Sequence, residues 1–297
     1  MGRPAEGYWR FVSVPVVIVL LIMGFSYHTL VVLVIHPWLN VNTTTGFANV
    51  ALLTILCTMA LHSYALAVVR DPGYIPSSYL PDLEEEVAVH EVKRKVFLGG
   101  NRYCQKCEQY KPPRAHHCRV CKRCVLRMDH HCMWVNNCVG HYNYKAFFLF
   151  TVYASGAGLQ SMILLGTHFI QTLGDEGPED MDAKVFSESV TSSAFPRVIC
   201  AVILVPALIA AAAMMTWHFY LLLHNKTTIE YHEGVRATWL AEDIGQGYRH
   251  PYDIGIFINL VAALGPSVSC WLCPSATGHL SPDLQCETFS GDILEME

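Results

Sequence analysis

The stretch HHCRVCKRCVLRMDHHCMWVNNC, residues 116–138, holds five cysteines and four histidines, and CQKC stands just upstream at Cys104 and Cys107. Thiols this dense imply metal, and the deciding question is whether metal takes all of them. The cluster repeats itself. Cys104, Cys107, His117 and Cys124, shifted by fourteen residues, fall on Cys118, Cys121, His131 and Cys138. Each set is Cys3His, the donor set of a closed structural zinc site, and a two-residue gap lets both thiolates of a tight turn face one ion. The second set begins inside the first, so two structural Zn2+ sites interlock along a series of short β-hairpin knuckles. Those sites use six of the seven cysteines between 104 and 138. Cys132 has no place in either, because a third repeat begun there would need a cysteine at 135, where Val135 stands. One thiol is spare.

Its neighbours give it chemistry. Asp129 and His130 precede His131, and Cys132 follows. A thiol with pKa about 8.5 is mostly protonated at neutral pH, and only the thiolate is nucleophilic. His130 can take that proton, and Asp129 can hold the imidazole in the right tautomer, which is the logic of a Cys-His-Asp nucleophile. Neither quartet leaves an open position for metal-bound water, so zinc is a scaffold. His130 could replace His131 as ligand, but only His131 keeps the fourteen-residue register. Cys132 could also be an inert buried thiol; its place beside Asp-His argues for catalysis.

Working outward, four windows contain no Asp, Glu, Lys or Arg: residues 11–35, 47–69, 146–170 and 198–223. A bilayer core needs roughly 20 apolar residues of helix, so the chain is predicted to be an all-α polytopic membrane protein with four transmembrane helices. The cysteine-rich domain lies between the second and third. Pro15 and Pro206 are expected to kink their helices. The first window is too long for the apolar core of a signal peptide and lacks a cleavage site. Residues 70–145 hold thirteen of the twenty Lys and Arg residues, whereas the links 36–46 and 171–196 hold none and one. By the positive-inside rule, both termini and the central segment face the cytosol. The reducing cytosol favours metal or catalysis over disulfides for this cluster. The domains expected are helices 1 and 2 (1–70), the cytosolic zinc segment (71–145, its core 103–143), helices 3 and 4 (146–223) and a cytosolic tail (224–297).

With these residues in hand, the chain resembles the DHHC-type protein S-acyltransferases, or palmitoyltransferases. The match runs through CQKCEQYKPPRAHHCRVCKRC, DHHCMWVNNCVG and HYNYKAFF, with DPG at 71–73 and TTIE at 227–230. The resemblance implies a ping-pong enzyme that moves a palmitoyl group from acyl-CoA to cysteines of membrane-associated proteins. Cys132 would carry the acyl thioester, His130 would act as base and Asp129 would orient it. Thr228 of TTIE is expected to contact Asp129. Where the family has proline after the catalytic cysteine, this chain has Met133, which frees a φ angle that proline would lock. The segment HPYDIGIFINLVAALG, 250–265, looks like the family's C-terminal amphipathic element, with Asn259 at its asparagine position.

Substrate contacts follow from the chemistry of the donor. CoA is polyanionic, and Lys111, Arg114 and His116 in the first zinc loop are the candidates to meet it. The acyl chain belongs in the apolar layer, with Trp134 against it or anchored at the interface. The partners expected are the bilayer, acyl-CoA and cysteine-bearing membrane-associated proteins; nucleic acid is excluded. The location expected is an endomembrane, the Golgi first, with endoplasmic reticulum and plasma membrane as alternatives. The small-residue run ASGAG (154–158) reads as close helix packing, or as room for long acyl chains. A membrane-anchored zinc scaffold without turnover is the rival function; it would tolerate Cys132→Ser. Zinc transport is disfavoured because the helices carry no acidic residues to line a path. Secondary features are the sequon at Asn42, the acidic stretch LPDLEEE, the tail thiols Cys270 and Cys273, read as inert, and a tail after Pro274 read as disordered. Gly2 in MGRPAE is not read as myristoylated, because Glu6 stands where Ser or Thr is needed.

Overall fold

The computed structural model describes residues 13–76, 79, 103–174, 183–243, 247–248 and 250–278, with the side chains of 173–193 left aside. The N-terminal MGRPAE, the acidic stretch 80–86 and the tail beyond 278 lie outside the described residues. Four helices carry the apolar windows: α1 (Val14–Leu39), α2 (Thr44–Val69), α3 (Tyr144–Gly174) and α4 (Ala183–Leu223). Each has at least 26 residues that are apolar enough to span a bilayer, and the chain is a multi-pass membrane protein. Two further helices follow, α5 (Thr228–Asp243) and α6 (Ile256–Leu264).

The chain divides into two units. The first, Met1–Ala65 with Phe148–Trp217, contains most of the apolar helices. Leu30, Val34, Leu53, Leu164, Leu165 and Leu204 are buried at its centre, while Leu21, Phe47, Ile55, Phe169, Val202 and Ile209 point outward. Exposed leucine and isoleucine along a spanning helix suit lipid rather than water. Gly156 and Gly158 pack closely: a Cβ at Gly158 would meet Leu208 at 3.1 Å, and one at Gly156 would meet Leu56 at 3.5 Å. The ASGAG run therefore serves helix contact. Tyr27 and Thr54 share a 2.9 Å hydrogen bond, and Gln160 Nε2 donates to the Asn49 carbonyl at 3.0 Å.

The expected proline kinks need one correction. Pro15 sits in the first turn of α1, where its missing N–H has no helical partner to lose. The irregularity of α1 is instead a π-helical segment, Thr29–Ile35. Pro206 is inside α4, together with Pro196.

The second unit, Leu66–Phe147 with His218–Glu297, contains the cysteine cluster. Three antiparallel hairpins follow one another: β1 (Tyr103–Cys104) with β2 (Gln109–Tyr110), β3 (His116–Cys118) with β4 (Arg123–Val125), and β5 (His130–Cys132) with β6 (Asn137–Val139). The fourteen-residue register extends to the backbone. Glu108, Lys122 and Asn136, each fourteen residues from the next, all turn with φ near +50°. So the chain makes three knuckles, although only two carry the full metal pattern.

Polar side chains fasten the third knuckle. Asn137 Nδ2 donates to the carbonyls of Ala67, Val68 and Arg70 at the end of α2, and Asn143 Nδ2 donates to Ala67 and Cys138. These carbonyls have no partner within the helix. Asp71 caps the Gly73 and Tyr74 N–H groups, and Gly73 adopts φ +101° while its carbonyl accepts from Leu126. Nearby, a Cβ at Gly140 would come within 2.6 Å of the Pro72 carbonyl, so only glycine fits. Asn259 ties α6 to the end of α4 by donating to the Leu223 carbonyl at 2.7 Å. The fully buried Lys145 ammonium donates to the carbonyls of Leu264 and Cys270 at 2.9 Å and of Ala276 at 3.5 Å.

Candidate functional site

Strand alternation builds the site. Successive side chains on a strand point to opposite faces. On β3, His117 turns to one cluster and Cys118 to the next. On β5, His131 turns to the second cluster, which puts His130 and Cys132 together on the other face.

Cys104, Cys107, His117 and Cys124 bring their donor atoms within 4.8 Å of one another, and so do Cys118, Cys121, His131 and Cys138. These are the two quartets read from the repeat. In the first, His117 Nδ1 lies 3.5, 3.2 and 3.8 Å from the sulfurs of Cys104, Cys107 and Cys124. In the second, His131 Nδ1 lies 3.7, 3.4 and 3.6 Å from those of Cys118, Cys121 and Cys138. Zinc bonds of about 2.3 Å to sulfur and 2.0–2.1 Å to nitrogen set tetrahedral neighbours roughly 3.5–3.8 Å apart. The spacing therefore fits two structural zinc ions, each held by three thiolates and one imidazole. Cys132 belongs to neither cluster.

On the opposite face, His130 Nδ1 donates to Asp129 Oδ2 at 2.6 Å, with the carboxylate buried and the imidazole half-buried. That bond fixes the tautomer and leaves Nε2 for proton exchange. Cys132, two residues on and on the same face of β5, is close enough to His130 for each to shift the pKa of the other. Burial opposes charge on His130, but the hydrogen bonds and charges of Asp129 and Cys132 prevail and raise it to about 9. Burial likewise opposes the thiolate of Cys132, yet His130 and the backbone N–H groups of Val135 and Trp134 pull its pKa down. Both shifts run toward thiolate and imidazolium. The N–H donors come from the knuckle turn. In the second knuckle, the Cys121 N–H donates to Cys118 Sγ at 3.3 Å in the corresponding turn. The third knuckle supplies the same amides to Cys132, and Val135 supplies no second thiolate.

TTIE explains how Asp129 is held. Thr227 and Glu230 form a capping box: the Thr227 N–H donates to Glu230 Oε2 at 2.9 Å, and the Glu230 N–H to Thr227 Oγ1 at 3.2 Å. That leaves Thr228, first residue of α5, to face the site. Its N–H donates to Asp129 Oδ1 at 2.9 Å and its Oγ1 to Asp129 Oδ2 at 2.8 Å. The positive end of α5 adds to the same effect. Burial opposes ionisation of Asp129, but these donors and the neighbouring histidines keep its pKa low.

The remaining candidates separate. Lys111 lines an open groove with Lys106 and Arg119 beside the first cluster. His116, on β3, is half-buried and is the counterpart of His130 one repeat earlier. Trp134 is half exposed. Arg114 is engaged inside the protein. Its Nε and Nη2 donate to the two oxygens of Glu230 at 2.7 Å, Nη1 and Nη2 donate to Asn225, and its guanidinium lies 4.4 Å from the Tyr252 ring centroid. The sequence offered it as a candidate for CoA contact; here its guanidinium ties the first zinc loop to α5. His218, which sequence reasoning missed, lies beside His130, with ring centroids 5.7 Å apart.

Known proteins resemble this chain over most of its length. The family model described as DHHC palmitoyltransferase matches residues 98–235. A relative from Arabidopsis thaliana, "Probable protein S-acyltransferase 16", is 52% identical over 290 residues, covering 97% of this chain and 96% of the relative. "Probable protein S-acyltransferase 15" from the same plant is 40% identical over 86% of this chain and 94% of its own length. "Palmitoyltransferase PFA4" of Mycosarcoma maydis is 31% identical over 81% of this chain and 53% of that protein.

Proposed function

The chain belongs to the DHHC palmitoyltransferase family, and on that premise we propose that Cys132 is its acyl-carrying nucleophile, with His130 as base and Asp129 as its anchor. The activity is protein S-acylation with acyl-CoA as donor. The observation that carries the assignment is the 2.6 Å Asp129–His130 hydrogen bond on the strand that carries Cys132, a sulfur that belongs to neither metal cluster.

In the first half-reaction the Cys132 thiolate attacks the thioester carbonyl of palmitoyl-CoA. The carbon–sulfur bond to CoA breaks, and the CoA thiolate leaves with the proton that His130 held. In the second half-reaction the thiol of a membrane-associated protein gives its proton to His130 and attacks the acyl-enzyme. The bond to Cys132 breaks, and the thiolate–imidazolium pair is restored. One thioester replaces another at each step, so the cycle runs close to thermoneutral. Bound zinc supplies rigidity to the knuckles and takes no part in the bond changes.

A palmitoyl chain has about fifteen carbons beyond the carbonyl, so keeping it in an apolar layer is worth on the order of 12 kcal/mol. That favours chemistry at a membrane surface, with Trp134 against the chain or at the interface. Lys111 and His116 are the proposed contacts for CoA phosphates, with the charge of Arg114 behind them. The central segment and both termini are proposed to face the cytosol, where acyl-CoA resides, on the ground of their Lys and Arg content, and the membrane proposed is an endomembrane, the Golgi first.

The test is hydroxylamine-sensitive labelling of the purified protein with an acyl-CoA analogue. Wild type should take up about one acyl group, and Cys132→Ser should take up none while keeping two zinc ions per chain. Equal labelling of both would move the acyl site away from Cys132, and no labelling of either would return the protein to the scaffold reading.

A further inference from the structure

His218 lies in α4, five residues before its end at Leu223. It is 1% exposed, and its Nδ1 is 3.2 Å from the hydroxyl of Tyr144. Its ring is tilted 36° to that of His130 at 5.7 Å. Phe147 closes the cluster with edge contacts of 5.3 Å to His130 and 5.1 Å to His218. A ring nitrogen of His218 also lies within 4.8 Å of an Asp129 oxygen and a His130 nitrogen. A polar ring in an apolar spanning helix is costly and marks a task; leucine would fill the space.

We infer that His218 is a positioning residue for the second half-reaction: with Phe147 it sets the plane of the His130 imidazole, and the Tyr144 hydroxyl fixes His218 in turn. The inference rests on His130 serving Cys132 as proposed above. As a thiolate, Cys132 attracts the imidazolium by its charge while Asp129 holds Nδ1 by a 2.6 Å hydrogen bond. In the acyl-enzyme its sulfur is an uncharged thioester sulfur and a poor acceptor. The ring then keeps one hydrogen bond, to Asp129, and a terminal histidine torsion is soft. The walls formed by Phe147 and His218 keep Nε2 directed to where the substrate thiol arrives. Proton and bond changes are those already written. Loss of His218 therefore slows acyl transfer to the substrate thiol more than it slows loading of Cys132.

Single-turnover kinetics on the full chain, purified with its zinc, separate the two steps. Loading of Cys132 is followed with a fluorescent palmitoyl-CoA analogue. Free donor is then removed, and transfer to a cysteine-containing lipidated peptide is timed. His218→Ala should slow transfer about 10- to 100-fold and loading by less than about threefold. His218→Phe, which keeps a ring wall, should recover most of the loss, and Tyr144→Phe should fall between. Zinc content and melting temperature monitor folding. Equal slowing of both steps, or no recovery with Phe, overturns the inference. Should the alanine variant lose zinc, Tyr144→Phe carries the test alone, and an unchanged ratio of the two rates overturns it. A wild-type chain that takes no label at Cys132 would instead overturn the assignment of the nucleophile.

Discussion

Replacing Glu230 by alanine should destabilise the protein far more than removing a surface charge. The carboxylate accepts two 2.7 Å hydrogen bonds from Arg114, and both side chains are under 10% exposed. Hydrogen bonds to charged partners contribute about 1.5–3 kcal/mol each, and breaking a buried pair by removing one partner costs about 3–5 kcal/mol. Asn225 and the Tyr252 face still hold the stranded guanidinium, which keeps the cost within that range. A loss of this size should lower the midpoint of thermal unfolding in detergent by about 10 °C, read by intrinsic fluorescence and by loss of the monodisperse peak. Arg114→Met with Glu230→Leu should recover most of it, since a well-packed apolar pair replaces a buried ion pair at little cost. Lys111→Ala, in the open groove, should leave the midpoint unchanged and raise KM for acyl-CoA. If Glu230→Ala melts like wild type, or if Arg114→Ala raises KM at full stability, Arg114 is a substrate contact and the internal tie is refuted.

The same pair gives a pH dependence. Burial opposes ionisation of Glu230, but the charge and hydrogen bonds of Arg114 hold it at about 2. Because the folded value lies below the ordinary carboxylate value near 4.5, this contribution is complete above that pH and is lost as pH falls toward 2. Glu230→Gln should therefore flatten the fall in melting temperature across that window; a parallel fall would contradict it. Thr228→Val keeps the backbone donor to Asp129 and removes the hydroxyl, so kcat should fall about tenfold with KM for acyl-CoA unchanged; an unaltered kcat would show that the N–H alone suffices. Lys145→Met leaves three carbonyls without their ammonium partner, and hydrogen exchange should quicken over residues 264–276 with little change in the hairpins.

Much of the site was legible because its logic is local. A fourteen-residue period, a two-residue gap between thiols and the alternation of a strand suffice to assign eight ligands and leave Cys132 with His130. The same period then appears in the backbone, down to the left-handed residues at 108, 122 and 136. What stayed hidden depends on residues distant in sequence. Arg114 reads as a candidate CoA contact, and its tie to Glu230, 116 positions later, shows only once the chain is folded. His218 is one polar residue in an apolar run, and its meaning comes from Tyr144 and Phe147. TTIE could be quoted as a motif, but its division of labour, with one threonine capping the helix and the next facing the carboxylate, follows from the direction of α5. Pro15 was misread because proline in a first turn and proline in mid-helix look alike when the helix start is uncertain.

With Cys132 as the proposed nucleophile, little in the third knuckle separates a ligand from a reagent. The amides that stabilise the sulfur at Cys132 belong to the main chain, so most side chains at 134 and 135 leave them intact. Two substitutions would still disable it. Proline at 134 deletes a donor outright, and Val135→Cys sets a second thiol at chelating distance without touching the reacting trio. The chain would then fold, keep its zinc and be silenced by any free metal or mild oxidant, and chelation or reduction would restore its acylation.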